Sequence, residues 1–238
     1  MNDIYEQLKA LRLPGMAERW QMMLDTHSID KLTPSECLSL LLQAEKDQRT
    51  TRRTARLIKN AQFRYQTTVD EILFDTEKGR NKELLMQLAL CEYIRQGTSI
   101  LITGPSGVGK SFISSALGYQ ACLAGLHVRY FNMQKLLERI QLARMEGTIA
   151  NFFDKMAALD LLIIDDFGMK VLDGQQLLDF MEVIEDRHAR RSTIISSQLP
   201  ISAWYDIMAK NATIADAILD RIVKTSYKIE LNGDSYRK

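Results

Sequence analysis

Residues 99–112 read Ser99-Ile-Leu-Ile-Thr103, then Gly104-Pro105-Ser106-Gly107-Val108-Gly109-Lys110-Ser111, then Phe112 at the start of a helical stretch. The middle eight residues satisfy G-x-x-x-x-G-K-[ST], and the apolar run before them with the helix after them is the context in which that pattern works as a phosphate site. The glycines let successive backbone N–H groups turn inward on phosphate oxygens, and the helix N-terminus adds the positive end of its dipole. Lys110 then reaches the β- and γ-phosphates, and the Ser111 hydroxyl ligates Mg²⁺. The stretch from Gly104 to Phe112 is therefore the expected ATP cradle.

Outward from this stretch, short β-rich runs recur at about 99–103, 127–131, 160–165, 192–196 and 225–231, separated by helical segments of ten or more residues. That alternation predicts an α/β domain with a mostly parallel central sheet and helices on both faces. Leu161-Leu-Ile-Ile-Asp165-Asp166 is an apolar strand ending in two carboxylates. Asp165 is the expected partner of Ser111 on Mg²⁺. Asp166 stands where a group that orients the attacking water belongs. Two carboxylates ending a buried strand are costly to desolvate without a cation or hydrogen bonds, which argues for a function. The next strand ends in Ser196-Ser197-Gln198, at the sheet edge where nucleotides bind in open α/β folds. Ser197 or Gln198 there either faces the γ-phosphate or caps the turn before Leu199-Pro200, and we take Gln198 as the catalytic candidate.

The N-terminal third is different. Ile4, Leu8 and Leu11 form one helical stripe, Pro14-Gly15 breaks it, and Met16, Trp20, Met23 and Leu24 resume it. Thr33-Pro34-Ser35-Glu36 predicts a helix start with a capping box and Pro34 in the first helical position, and the helix should run to about residue 60. On its wheel, Lys46, Arg49, Arg52, Arg53, Arg56 and Lys59 fall within roughly 140°, while Leu57, Ile58 and Ala61 lie opposite. The formal net charge of +1 hides this basic face, which suits a double-stranded DNA partner, with Arg49, Arg52, Arg53, Arg56 and Lys59 as candidate contacts. Thr67-Thr68 and the polar 75–82 stretch interrupt the periodicity, so we expect a helical N-terminal domain over 1–75 and the ATP-binding domain over 76–238.

Composition narrows the field. The 238 residues are 46% hydrophobic, enough for a packed core, and no apolar run is long enough to span a bilayer. The expectation is a cytoplasmic protein without membrane partners. Cys37, Cys91 and Cys122 are too few and too scattered for a disulfide framework or a zinc cluster, and His27, His127 and His188 show no ligand spacing.

From Ile100 onward the chain resembles the AAA+ ATP-binding domain shared by IstB-like transposition helpers and DnaC-type helicase loaders. The resemblance rests on GPSGVGKS at 104–111, LLIIDDFG at 161–168, STIISSQLP at 192–200, ILDRI at 218–222 and the terminal GDSYRK. The Asp-Asp-Phe-Gly form followed by Ser-Ser-Gln-Leu-Pro, together with a basic helical N-terminal domain, is more similar to the transposition helpers. It implies a P-loop AAA+ domain and a homo-oligomer with ATP at its subunit interfaces, and the sequence is expected to depart from full-length AAA+ ATPases in having no C-terminal helical lid after GDSYRK. It also implies a DNA-dependent ATPase that oligomerises on target DNA and recruits a transposase. Arg221 matches the family's arginine finger, which acts on a neighbour's nucleotide, and Arg237 matches a second, sensor-like arginine. A replicative helicase loader is the alternative within the same ATPase core. A small-molecule P-loop kinase is disfavoured, since no acceptor segment is recognisable and the basic domain would have no purpose. A nucleotide-dependent DNA-binding module that does not hydrolyse stays open, because Asp166 is one methylene shorter than the usual glutamate.

Overall fold

A computed structural model describes residues 2–208 and 211–233, and the chain divides into two compact units, Met1–Arg56 and Leu57–Lys238. The first contains α1 (Asn2–Ala10), α2 (Pro14–Asp25) and most of α3 (Pro34–Ala61). The expected capping box starts α3: the Thr33 N–H donates to Glu36 Oε2 at 2.8 Å, and the Glu36 N–H donates to Thr33 Oγ1 at 3.3 Å. Helix α2 has Pro14 in its first turn and Leu13, which offers no side-chain acceptor, at its N-cap. Glu45 of α3 supplies that acceptor, taking the Gly15 and Met16 N–H groups at 2.8 and 3.3 Å. A Cβ on Gly15 would lie 2.6 Å from the Ala44 carbonyl oxygen. The glycine that interrupts the sequence periodicity is thus also what lets the two helices meet over Met16, Met23 and Leu41.

The second unit is built on five parallel strands, β1 (Ile100–Thr103), β2 (Val128–Asn132), β3 (Leu161–Phe167), β4 (Ser192–Ser197) and β5 (Tyr227–Glu230), in the order β2-β3-β4-β1-β5. Side chains alternate between two cores, as the pleat requires. Ile100, Ile102, Ile163, Ile194 and Ile229 face one core, with α4 (Lys82–Ala89), α5 (Glu92–Arg95) and α6 (Lys110–Leu123). Leu101, Leu162, Ile164 and Ile195 face the other. That face is covered by α7 (Met133–Met145), α8 (Ile149–Ala158), α9 (Gly174–Arg187), α10 (Trp204–Met208) and α11 (Ala212–Val223). The sheet is buried on both sides, which is why its strands read as continuous apolar runs.

The units divide earlier than the 65–80 stretch where polarity suggests a boundary. Leu57, Ala61, Val69 and Ile72 are buried in the α/β core, and Thr67, itself buried, donates to Glu71 at 2.7 Å. The polar 75–80 segment is a tight turn closed by an Asp75–Arg80 bridge, and its Lys78 carbonyl accepts the Asn232 N–H at 3.1 Å. Polar composition marked a turn clamped on the end of β5 rather than a linker.

Candidate nucleotide site

Strand β1 ends at Thr103, and the chain turns at once into the glycine-rich loop. Gly104 has φ +144°, and a Cβ there would collide with the Leu231 carbonyl, so only glycine lets the loop leave the sheet beside β5. Gly109, at φ +102°, is the N-cap of α6, whose first turn is Lys110, Ser111 and Phe112. No side chain caps this helix end, so its leading N–H groups point into the cleft. Lys110 folds back over the loop and donates from Nζ to the Gly104 and Pro105 carbonyls, each at 2.7 Å. That holds an ammonium at the mouth of the cradle.

Asp165 is fully buried at the carboxyl end of β3. Burial alone would raise its pKa, but hydrogen bonds from the Ser111, Ser196 and Tyr130 hydroxyls and the Asp166 N–H hold it below the usual carboxylate range. Ser111 and Asp165, the two expected Mg²⁺ ligands, are close enough for the serine hydroxyl to help hold the carboxylate ionised. Tyr130 is pushed the other way by burial and by the Asp165 charge, so it stays a proton donor. The β3–β4 register slips between Ile164 and Phe167, and Asp166 in that irregularity adopts φ +57°. A left-handed residue in a strand irregularity turns its side chain out of the pleat, and aspartate tolerates this better than most. The Asp166 carboxylate accepts from Asn132 Nδ2 at 2.9 Å. Arg64 Nη1 lies 3.2 Å from Asp166 Oδ2 and 3.3 Å from Asp165 Oδ2.

Arg64 and Asp166 line one cavity of about 390 Å³ with the loop from Ser106 to Phe112, Gln198 stands on its wall, and Asp165 is buried beside Asp166 at the end of β3. Ser197 does not face the cavity. Its hydroxyl donates to the Phe167 carbonyl at 2.7 Å and accepts the Leu199 N–H at 3.1 Å, which is the turn-capping role. On the opposite wall Tyr65 packs on Phe112 with ring centroids 6.1 Å apart, near Ile72, Leu73 and Arg80.

Arg221 is elsewhere. It sits in the last turn of α11, pairs with Glu185 of α9 and donates to the Ala217 carbonyl at 2.9 Å. Its neighbours Gly97, Ser99 and Thr193 mark the amino edge of the sheet, opposite the cradle. Its ion-pair partner thus lies on the neighbouring helix α9. The basic residues Arg49, Arg52, Arg53, Arg56 and Lys59 are all exposed on α3, with Arg49 tied to Glu45 at 2.7 Å. Arg237 lies outside the described residues. Sequence reasoning passed over Arg64, Tyr130, Asn132 and Ser196. Asn132 and Ser196 lie at the carboxyl ends of β2 and β4, and that position is the signal that finds them, whereas Tyr130 is in the middle of β2. Arg64 follows a helix and belongs to no motif.

The residues present fit a magnesium nucleotide. The loop needs glycine at 104, where a Cβ would collide with the Leu231 carbonyl, Lys110 is poised on it, and the Ser111 hydroxyl helps hold a buried carboxylate ionised. Among the described residues no cluster of three His, Cys, Asp or Glu could hold a metal by itself, so a cation here would complete its shell with phosphate oxygens. No helix among the described residues is long and apolar enough to cross a membrane.

Comparison with known proteins agrees with this chemistry. The sequence profile of the family described as IstB-like ATP binding protein matches residues 6–238. The chain is 38% identical over 233 residues to the insertion sequence ATP-binding protein y4pL of Sinorhizobium fredii, covering 98% of this chain and 95% of that one. It is 39% identical over 198 residues to the insertion sequence IS1162 ATP-binding protein of Pseudomonas fluorescens, covering 82% and 85%. Among solved structures it is similar to the DnaC helicase loader, with TM-score 0.56, 18% identity, and coverage of 69% of this chain and 96% of that one. It is also similar to AMPPCP-bound DnaA from Aquifex aeolicus, with TM-score 0.59, 19% identity, and coverage of 70% and 50%. At these identities the structural likeness speaks for the fold, that of P-loop AAA+ domains.

Proposed function

The chain belongs to the family of IstB-like ATP-binding proteins, and from that premise we propose that it is a DNA-dependent ATPase of transposition. In this reading it assembles as an oligomer on double-stranded target DNA with ATP between subunits, recruits or activates a transposase, and leaves the DNA when ATP is hydrolysed. One cleft supports the reading most directly: a glycine-rich cradle, Lys110 and the strand-end Asp166 meet there, with Asp165 buried beside Asp166 on β3, in a chain whose relatives are named as ATP-binding proteins of insertion sequences.

The N–H groups from Ser106 to Phe112 and the Lys110 ammonium bind the phosphates, while Ser111 and Asp165 hold Mg²⁺. When bound, that ion neutralises charge on the β- and γ-phosphate oxygens. Asp166 orients the attacking water, its carboxylate steadied by Asn132. Its short reach makes for slow turnover, which suits a clamp that must persist on DNA before release. Gln198 faces the same cleft and contacts the γ-phosphate side. Arg221, on the far edge of its own sheet, serves a neighbouring subunit's nucleotide, where a guanidinium matches charge spread over the γ-phosphoryl oxygens. The exposed arginines of α3 contact DNA phosphates without reading bases.

ATP turnover and particle size, measured together with and without duplex DNA, test the proposal. Duplex DNA with ATP should produce larger particles and faster turnover. Turnover indifferent to DNA but responsive to a metabolite would instead indicate a small-molecule kinase. Capture of a replicative helicase rather than a transposase in a pull-down would indicate a loader.

A further inference from the structure

Arg64 lies three residues beyond the end of α3, and its Nη1 stands 3.3 Å from Asp165 Oδ2 and 3.2 Å from Asp166 Oδ2. One cation therefore spans both carboxylates at the end of β3. The guanidinium is partly sheltered, with its carbon 5.8 Å from the centroid of the Tyr65 ring, which itself packs on Phe112 in the first turn of α6. Arg64, Tyr65 and Phe112 all line the nucleotide cavity.

The chemistry of Asp165 explains why a cation is placed there. The carboxylate is fully buried, and the Tyr130 and Ser196 hydroxyls that donate to it do not supply a counter-charge. A carboxylate buried without a counter-charge is strongly disfavoured even when hydrogen-bonded, so without nucleotide the fold needs a positive group on it. Arg64 is that group. A guanidinium and a divalent cation on one carboxylate repel each other at close range in a low-dielectric cleft, so the two exclude each other.

Resting on the nucleotide reading above, we infer that Arg64 is a built-in competitor for the magnesium site. In the nucleotide-free chain it pairs with both Asp165 and Asp166, and it must leave Asp165 before the cation binds. A divalent cation alone lacks the contacts to displace it, whereas a cation arriving with phosphates brings ligands of its own. The exchange ties the 62–65 segment to the state of the site.

Mn²⁺, a paramagnetic stand-in for Mg²⁺, tests this by electron paramagnetic resonance titration of the full chain without nucleotide. The wild-type protein should bind it weakly. Arg64→Gln should bind one Mn²⁺ at least about tenfold more tightly, and adding Asp165→Asn should abolish the gain. Arg64→Met, which keeps the stem's packing against Tyr65, should behave as Arg64→Gln does and guards against a folding defect in either. In a folded variant, a titration that superimposes on wild type overturns the inference. The unmodified chain gives an independent measure: amide hydrogen exchange at residues 63–66 should change with Mg²⁺ and ATP together and stay constant with Mg²⁺ alone. No change with both present also overturns it. ATP binding by wild type and Lys110→Ala, run in parallel, separates the two readings. If neither difference nor binding is seen, the nucleotide site is wrong, while the Mn²⁺ titration still reports on Arg64.

Discussion

Arg52, Arg53 and Arg56 on α3 and Lys110, Asp165 and Arg187 in the α/β unit are charged side chains in opposite surroundings. The first three are exposed, and the last three are buried. Exposed charge costs the fold little and stabilises it little, so its use must be sought in the field the residues make together. Buried charge persists only with partners. Arg187 donates to Thr193 Oγ1, to the Met156 and Leu159 carbonyls at 2.6 and 3.0 Å, and to the Ser192 carbonyl, and burial followed by Arg191 brings its pKa down to about 9. Its acceptors all belong to the surrounding fold, so its role is structural. Lys110 lines a cavity, and Asp165 is paired with Arg64, which lines the same cavity; that is what marks them as functional. Glu45 is the N-terminal unit's own buried charge, and it follows the structural pattern of Arg187.

The largest expected effect breaks the buried side of this contrast. Lys110→Ala should abolish ATP binding, and with it DNA-dependent assembly, because a methyl removes the charge opposite the β- and γ-phosphates; equilibrium binding of a fluorescent ATP analogue checks it. Arg221→Ala should retain nucleotide binding yet lose a factor of roughly 10³ or more in turnover, far beyond a surface ion pair worth under about 1 kcal/mol. Mixing it with Lys110→Ala subunits should restore activity at junctions that pair an intact loop with an intact arginine. If Arg221→Ala alone assembles and turns over normally, its partner Glu185 is its whole role. Asp166→Asn should keep ATP binding but slow hydrolysis by about 10²-fold, leaving long-lived DNA complexes in single-turnover assays.

Smaller effects sharpen the contrast within the N-terminal unit. Burial raises the Glu45 pKa, but Arg49 and the Met16 and Gly15 N–H groups outweigh it and leave the group below its ordinary value of 4.5. Stability from this carboxylate is therefore present above pH 4.5 and fades as pH falls through the lower folded value. Glu45→Gln should cost about 1–3 kcal/mol in denaturant melts at neutral pH and remove that acid sensitivity. The triple neutralisation of Arg52, Arg53 and Arg56 should shift stability by no more than about 0.5 kcal/mol per site. It should flatten the log–log salt dependence of DNA binding by about 0.9 per lost phosphate contact. Arg49 is left out of that variant because it supports Glu45. A wild-type salt slope would move the DNA footprint onto the α/β unit.

What the sequence by itself determined is local chemistry. A capping box, an apolar strand, a helical stripe and a glycine-rich phosphate loop are each written in neighbouring residues, because hydrogen bonds three or four positions apart and a pleat of period two do not depend on distant chain. All five strands and the start of α3 were legible in that way. Tertiary structure decided where chain segments far apart in number meet. It assigned residues 57–75 to the α/β core, capped α2 with Glu45 from 30 positions away, and left Arg221 on the edge opposite the cradle. It also laid Arg64 across two carboxylates about a hundred positions distant. A buried carboxylate needs a counter-charge in space, and any arginine the fold can deliver will serve. No spacing in the sequence records which one does.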